Sequence, residues 1–140
     1  IMIGDETDGT VIPQDLGLDW AISKKKKDFL GKRAQERAFM VDPNRWKLVG
    51  LETLDGSVLE DGSYAIAKGK NANGQTNSEG RVTSTYHSPT LGKGIAMGLV
   101  HRGPDRMGEV LSFTKIGGSP VKAKIVSSVF YDPDGEKQNV

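Results

Sequence analysis

The stretch from Gly80 to Val100 constrains this chain more than any other part of it. Two runs rich in β-branched and apolar residues, Arg81–Thr85 and Ile95–Val100, flank a polar connection carrying Ser88, Pro89, Gly92 and Lys93. Such a pattern reads as an antiparallel strand pair joined by a structured loop, not by a two-residue hairpin. Similar runs recur along the chain. Residues 46–53 alternate, with Trp46, Leu48, Gly50 and Glu52 on one face and Lys47, Val49, Leu51 and Thr53 on the other. Asp55-Gly56 is a hairpin signal, and strands are expected at Leu59–Ala67, Val110–Ile116 and Val121–Phe130, the last two about the Gly117-Gly118 turn. Glycine supports this, since 18 of 140 residues is about twice the usual ~7% and shows no collagen period. Five to seven strands with one N-terminal helix point to a closed or nearly closed antiparallel barrel. The helix is placed from Phe29 to about Phe39, on the spacing of Leu30, Arg33, Ala34, Arg37 and Ala38, with Asp28 as its N-cap. Ile1–Thr10 reads as a short strand running into an acidic turn.

Composition excludes several function classes. A net charge of +1 offers no global attraction to nucleic acid or anionic lipid, so neither is expected as a partner. Without cysteine there are no disulfides, thiolate nucleophiles or cysteine-ligated zinc, and a reducing cytoplasm is a compatible home. No apolar run approaches the ~20 residues of a membrane span. The opening Ile1-Met2-Ile3-Gly4-Asp5 has the character of mid-strand sequence and no signal-peptide pattern, which suggests a piece of a longer chain.

Candidate chemistry is sparse. His87 adjoins Ser88, but no G-x-S-x-G elbow surrounds them, and His87 and His101 both read as surface or structural residues. The acids Asp5, Glu6 and Asp8, and the later Asp132, Asp134 and Glu136, lack the ligand pattern of a calcium loop and read as turn formers. No carboxylate stands in an apolar setting of the kind that would shift its pKa. The run Lys24–Lys27 lacks interleaved aromatics for base stacking and reads as a solvated lead-in to the helix, with docking to an acidic partner surface as the alternative. No catalytic residue and no metal ligand is expected within these 140 residues.

The order of residues adds a resemblance. Gly80 to Val100 is similar to the signature G-x-V-T-S-x-x-x-S-P-x-L-x-K-x-I-A-x-G-x-V of the glycine-cleavage T-protein (aminomethyltransferase) C-terminal barrel family. Upstream, Gly4 to Trp20 resembles the family stretch G-x-E-x-D-x-x-x-x-P-x-E-x-x-L-x-W, and Asp28 to Ala34 resembles D-F-I-G-K-x-A. Leu18 to Ile22 and the ending Val129 to Gly135 look closer to the amine-oxidising members, in particular the alpha subunit of a heterotetrameric oxidase, than to the transferase. With this resemblance the expected fold is all-β with one N-terminal helix, a six-stranded Greek-key antiparallel barrel. The resemblance implies folate chemistry. A flavin elsewhere in the parent enzyme, with NAD in the complex, oxidises a secondary amine, and the one-carbon unit passes to tetrahydrofolate. It further implies that residues 1–42 are an arm and helix, the tail of a missing folate-binding domain, and that 43–140 form the barrel. Partners would be the missing N-terminal domains and the other subunits, with the catalytic groups upstream of Ile1 and this piece inactive alone. Tyr131 lies near the place where the transferase has a ligand-touching tyrosine, and equally suits a barrel-closing aromatic. Arg81 and Tyr86, at the signature loop, would face the folate cavity or the missing domains. Apolar surface is expected around Ile1–Ile3 and Leu16–Ile22.

Overall fold

The computed structural model describes residues 1–139. Six antiparallel strands close into a barrel: β1 (Trp46–Thr53), β2 (Tyr64–Ile66), β3 (Ser78–Ser88), β4 (Lys93–His101), β5 (Val110–Phe113) and β6 (Val121–Val126). Their order around the barrel is β1-β4-β3-β2-β5-β6, with β6 pairing back onto β1. Consecutive strands β2, β3 and β4 lie side by side while β1 returns beside β4, which makes the connection a Greek key.

Alternation along each strand fills the interior. Val49 and Leu51 of β1 are fully buried and Thr53 nearly so, whereas Trp46, Leu48 and Glu52 on the other face are half-buried, as the period of two requires. Val82, Val100, Leu111, Phe113, Ala123 and Ile125 join them in the core with Leu59, Ala65, Ala96 and Val121, and Phe113 is the largest of the wholly buried side chains. Two glycines permit close backbone crossings. A Cβ on Gly94 would run into the carbonyl of Ser57, and one on Gly50 would run into the carbonyl of Ser127 and the ring of Phe130. The first crossing brings the segment after β1 against β4; the second brings the chain after β6 across β1.

Several expected elements take other forms. The helix contracts to one α-helical turn, α1 (Lys32–Gln35), because Gly31 sits at φ +93° as its N-cap and no side chain of the turn is buried. Asp28 accepts the backbone N–H of Phe29 at 2.9 Å but caps nothing. A turn this short gains almost nothing from cooperativity, so an amphipathic spacing without a surface to cover does not propagate. The expected strand at Ile1–Thr10 is a turn around Gly4 (φ +99°) with a single bridge between Ile3 and Thr7. Only Tyr64–Ile66 of Leu59–Ala67 pairs, since Asp61-Gly62 turns the chain just before it. Asp55-Gly56 does turn, with Gly56 at φ +74°, yet β1 pairs with β4 and β6, so no hairpin joins β1 to β2. The strands at Val110–Ile116 and Val121–Phe130 shorten to β5 and β6.

Candidate functional site

Three acids on the first fifteen residues pin that arm to the barrel. The deepest is Glu6, fully buried although it is charged. Its carboxylate accepts the hydroxyl of Ser84, which sits at the bulge where β3 slips against β4 between Val82 and Ser84, and the backbone N–H of Met2 at 2.6 Å. Burial pushes the Glu6 carboxyl up, but these donors outweigh it and hold it below its ordinary value of 4.5. Next along the arm, Asp8 accepts from the hydroxyl and N–H of Thr10 and from Nη2 of Arg81 on β3 at 2.9 Å. Those hydrogen bonds hold its carboxyl below 3.8. Third is Asp15, 2% exposed, which Arg45 grips through Nε and Nη2. Arg45 also donates to the carbonyls of Thr10 at 2.7 Å and Phe39 at 3.3 Å, and its guanidinium lies 4.9 Å from the Phe39 ring centre. The hydrogen bonds to Asp15 raise the Arg45 pKa above its usual value.

Between arm and barrel these pins leave a cleft of about 550 Å³, within the range of small-ligand pockets. Phe39, Trp46, Tyr64 and Leu99 supply its apolar wall, and Arg45 and Arg81 its charged one. Both cations are already answered by acids of the arm, and Asp42, also on the lining, is exposed with its carboxylate accepting the backbone N–H of Asn44 at 2.8 Å.

Of the residues singled out from the sequence, Arg81 lines this cleft, donating to Asp8 and, at 3.4 Å, to the carbonyl of Asp5. Tyr86 lies five residues further along β3, roughly 17 Å by strand rise, and is exposed near the β3–β4 turn. Tyr131 follows β6, half-exposed, with Lys137 stacked 5.2 Å over its ring. Arg81, Tyr86 and Tyr131 thus do not converge on one cavity. His87 is exposed and His101 half-buried, and Lys24–Lys27 are all exposed. Trp20, Ile1, Met2 and Ile3 are exposed as expected, while Leu16, Leu18 and Ile22 are half-buried.

Against the expectation that no carboxylate stands in a setting that shifts its pKa, Glu6 is buried and shifted, and Asp15 is buried as well. Residue type and local spacing mark them as turn formers, and they do serve turns: Asp15 accepts the N–H of Ile12 at 3.1 Å. Their burial comes from partners some 78 and 30 positions away in sequence. One signal was nonetheless present, because Glu6, Asp8 and Asp15 fall on the three acidic positions of the family pattern that Gly4 to Trp20 resembles. Elsewhere on the barrel, Arg106 bridges Glu79 on β3 at 2.6 Å and Glu109 at 2.8 Å, a half-buried ion cluster at the turn before β5.

Acid should release the arm. The folded pKa values of Glu6 and Asp8 lie below 4.5 and 3.8, so the free arm binds more protons in that range and docking strengthens as pH rises. Docking is complete above the free-chain values and is lost as pH falls through the lower folded ones. Fluorescence of Trp20 followed from about pH 6 to about pH 2.5 should hold flat and then change below about pH 4. A Glu6→Gln variant should lose most of that step; an unchanged step would show that Glu6 does not hold the arm.

The architecture defines the class first: a closed Greek-key barrel with an N-terminal arm pinned along its side by acid–base pairs. The sequence profile of the glycine cleavage T-protein C-terminal barrel domain matches residues 47–132, and the chain belongs to that family. Among curated proteins it is 40% identical over 99% of its length to a sarcosine oxidase subunit alpha from Corynebacterium sp. (strain U-96), and 39% identical over 97% to that of Rhizobium meliloti. An aminomethyltransferase from Thermosipho melanesiensis is 34% identical over 94%. The chain spans 14% of the length of those oxidase subunits and 33% of the transferase. A solved aminomethyltransferase T of the glycine cleavage system from Bartonella henselae superposes with a TM-score of 0.70 over 89% of the chain and 33% of its own, at 23% identity, and so shares the fold. No helix among the described residues is long and apolar enough to cross a membrane.

Proposed function

We propose that this chain is the C-terminal barrel of a sarcosine oxidase alpha subunit, whose parent demethylates sarcosine oxidatively to glycine and passes the one-carbon unit to tetrahydrofolate. The higher identity to the oxidase subunits (39–40%) than to the aminomethyltransferases (33–36%) carries this reading. In it the barrel is scaffold: Arg45 and Arg81, the two cations of the cleft, are spent on holding the arm through Asp15 and Asp8. Residues 1–42 then belong with the folate-binding part of the parent, and residues 43–140 are the barrel that supports it. Tyr86 and Tyr131, exposed and apart from the cleft, would meet the rest of the parent, whereas Arg81 serves the arm. Flavin and NAD sites would lie elsewhere in the complex. The residues of this chain build no tetrahydrofolate pocket of their own, and no chemical step is assigned to them.

The test uses the full-length protein that carries this chain. With sarcosine, oxygen and tetrahydrofolate it should yield glycine and 5,10-methylenetetrahydrofolate. If it instead transfers an aminomethyl group and ignores sarcosine, the aminomethyltransferase reading replaces this one. The 140-residue chain, titrated with tetrahydrofolate by calorimetry, should show no micromolar affinity; such affinity would place a folate site within the barrel.

A further inference from the structure

Charge is distributed unevenly along this chain. Seven of the fourteen residues 24–37 are lysine or arginine and two are acidic, a net of +5, so the remaining residues carry −4 against the total of +1. Among the described residues, the ion pairs of the protein involve Arg45, Lys68, Arg81, Lys93, Arg102 and Arg106 and none of those seven cations. Lys24, Lys25, Lys26 and Lys27 are exposed in a segment without regular structure, and Lys32 donates only to the carbonyl of Lys27 at 2.7 Å. Cations elsewhere in this protein repeatedly find carboxylates, but among the described residues Asp28 and Glu36, inside the strip itself, form no ion pair with its cations. Leu30, within the strip, is wholly exposed, and Trp20 and Phe39, which flank it in sequence, are 77% and 68% exposed.

We propose that residues 24–37 are a docking strip for an acidic stretch of polypeptide. Charge complementarity selects an anionic partner, and two features favour protein over nucleic acid or lipid. First, the exposed Leu30 among the cations, with exposed Trp20 and Phe39 flanking them in sequence, matches the mixed apolar and charged make-up of a protein interface, whereas a phosphate backbone would leave these side chains bare. Second, a long polyanion running beyond the strip meets the net −4 of the rest of the chain, while a short acidic segment ends within it. Screening sets the reach of that repulsion at about 8 Å in physiological salt, so the strip acts locally. The proposal rests on charge and exposure alone and stands whether or not the parent oxidises sarcosine.

Binding of a fluorescent oligo-glutamate peptide to the full chain at about 0.15 M salt provides the test, with polyuridylate and phosphatidylglycerol vesicles measured alongside. The oligo-glutamate should bind, and replacing Lys24, Lys25, Lys26 and Lys27 together with Gln should weaken it about ten-fold or more, given four exposed pairs lost. An Arg33→Gln, Arg37→Gln pair should weaken it by less but in the same direction. All the substituted side chains are exposed, so an unchanged melting temperature will show that the fold is intact. No binding at that salt, equal binding by the four-lysine variant, or tighter binding of polyuridylate or vesicles than of oligo-glutamate would each overturn the proposal.

Discussion

Replacing Arg45 with Met should destabilise the protein by about 3–5 kcal/mol, because it strands the Asp15 carboxylate in a site only 2% exposed. The guanidinium meets both carboxylate oxygens, at 2.9 Å from Nε and 2.5 Å from Nη2, and closes two backbone carbonyls besides. Met keeps much of the stem's packing and removes every one of those donors. Most of the loss is therefore the cost of an unpaired buried charge, not the net worth of the pair. That distinction has its own measurement. An Arg45→Met, Asp15→Leu double variant, with both charges gone, should recover most of the stability in urea unfolding. A single variant losing less than about 1 kcal/mol would mean that water reaches Asp15 and that the arm is held elsewhere.

Truncating Phe113 to Ala should cost a similar amount, about 3–5 kcal/mol, through a different physical route. Phe113 is fully buried on β5, opposite Val121 of β6 and Ala65 of β2, where the shortest strands of the barrel meet. The three-residue β2 and four-residue β5 contribute few ladder hydrogen bonds, so the barrel closes there largely by side-chain packing. Alanine loses the transfer free energy of the ring and leaves a cavity that rigid neighbouring strands cannot collapse into. Phe113→Leu, which fills more of that space, should cost clearly less. Equal losses for the two variants in denaturant melts would show that the ring's volume is not what closes the barrel.

These two sites differ in how far the sequence reveals them. Phe113 lies in a run, Val110–Phe113, whose alternation already announces a strand with Leu111 and Phe113 inward. Nothing around Asp15 says that the residue will be buried. Val11, Ile12 and Leu16 flank it, but its partner Arg45 is thirty residues on, past the lysine run and α1. Glu6 is a sharper case. An acid in a polar turn reads as solvated, and it is buried because the β3 bulge brings the Ser84 hydroxyl to it from 78 residues away. The helix expected from Phe29 to Phe39 fails for the converse reason. Its spacing is amphipathic, but Leu30 is left wholly exposed, and only a packing surface turns such a pattern into a stable helix.

Local periodicity and turn chemistry were enough to place the six barrel strands and the β architecture, though not the strands' ends, and they put a strand at Ile1–Thr10 where the chain turns. Those properties depend on each residue's immediate neighbours, and the two-residue repeat records them directly. The chain's kinship also shows in linear order, in the blocks from Gly4 to Trp20 and from Gly80 to Val100. Which acids would be buried, which glycines would admit a crossing strand, and where Arg81 would point were decided only by closure of the barrel. Desolvation and pairing energies belong to groups far apart in sequence that meet only once the chain is folded.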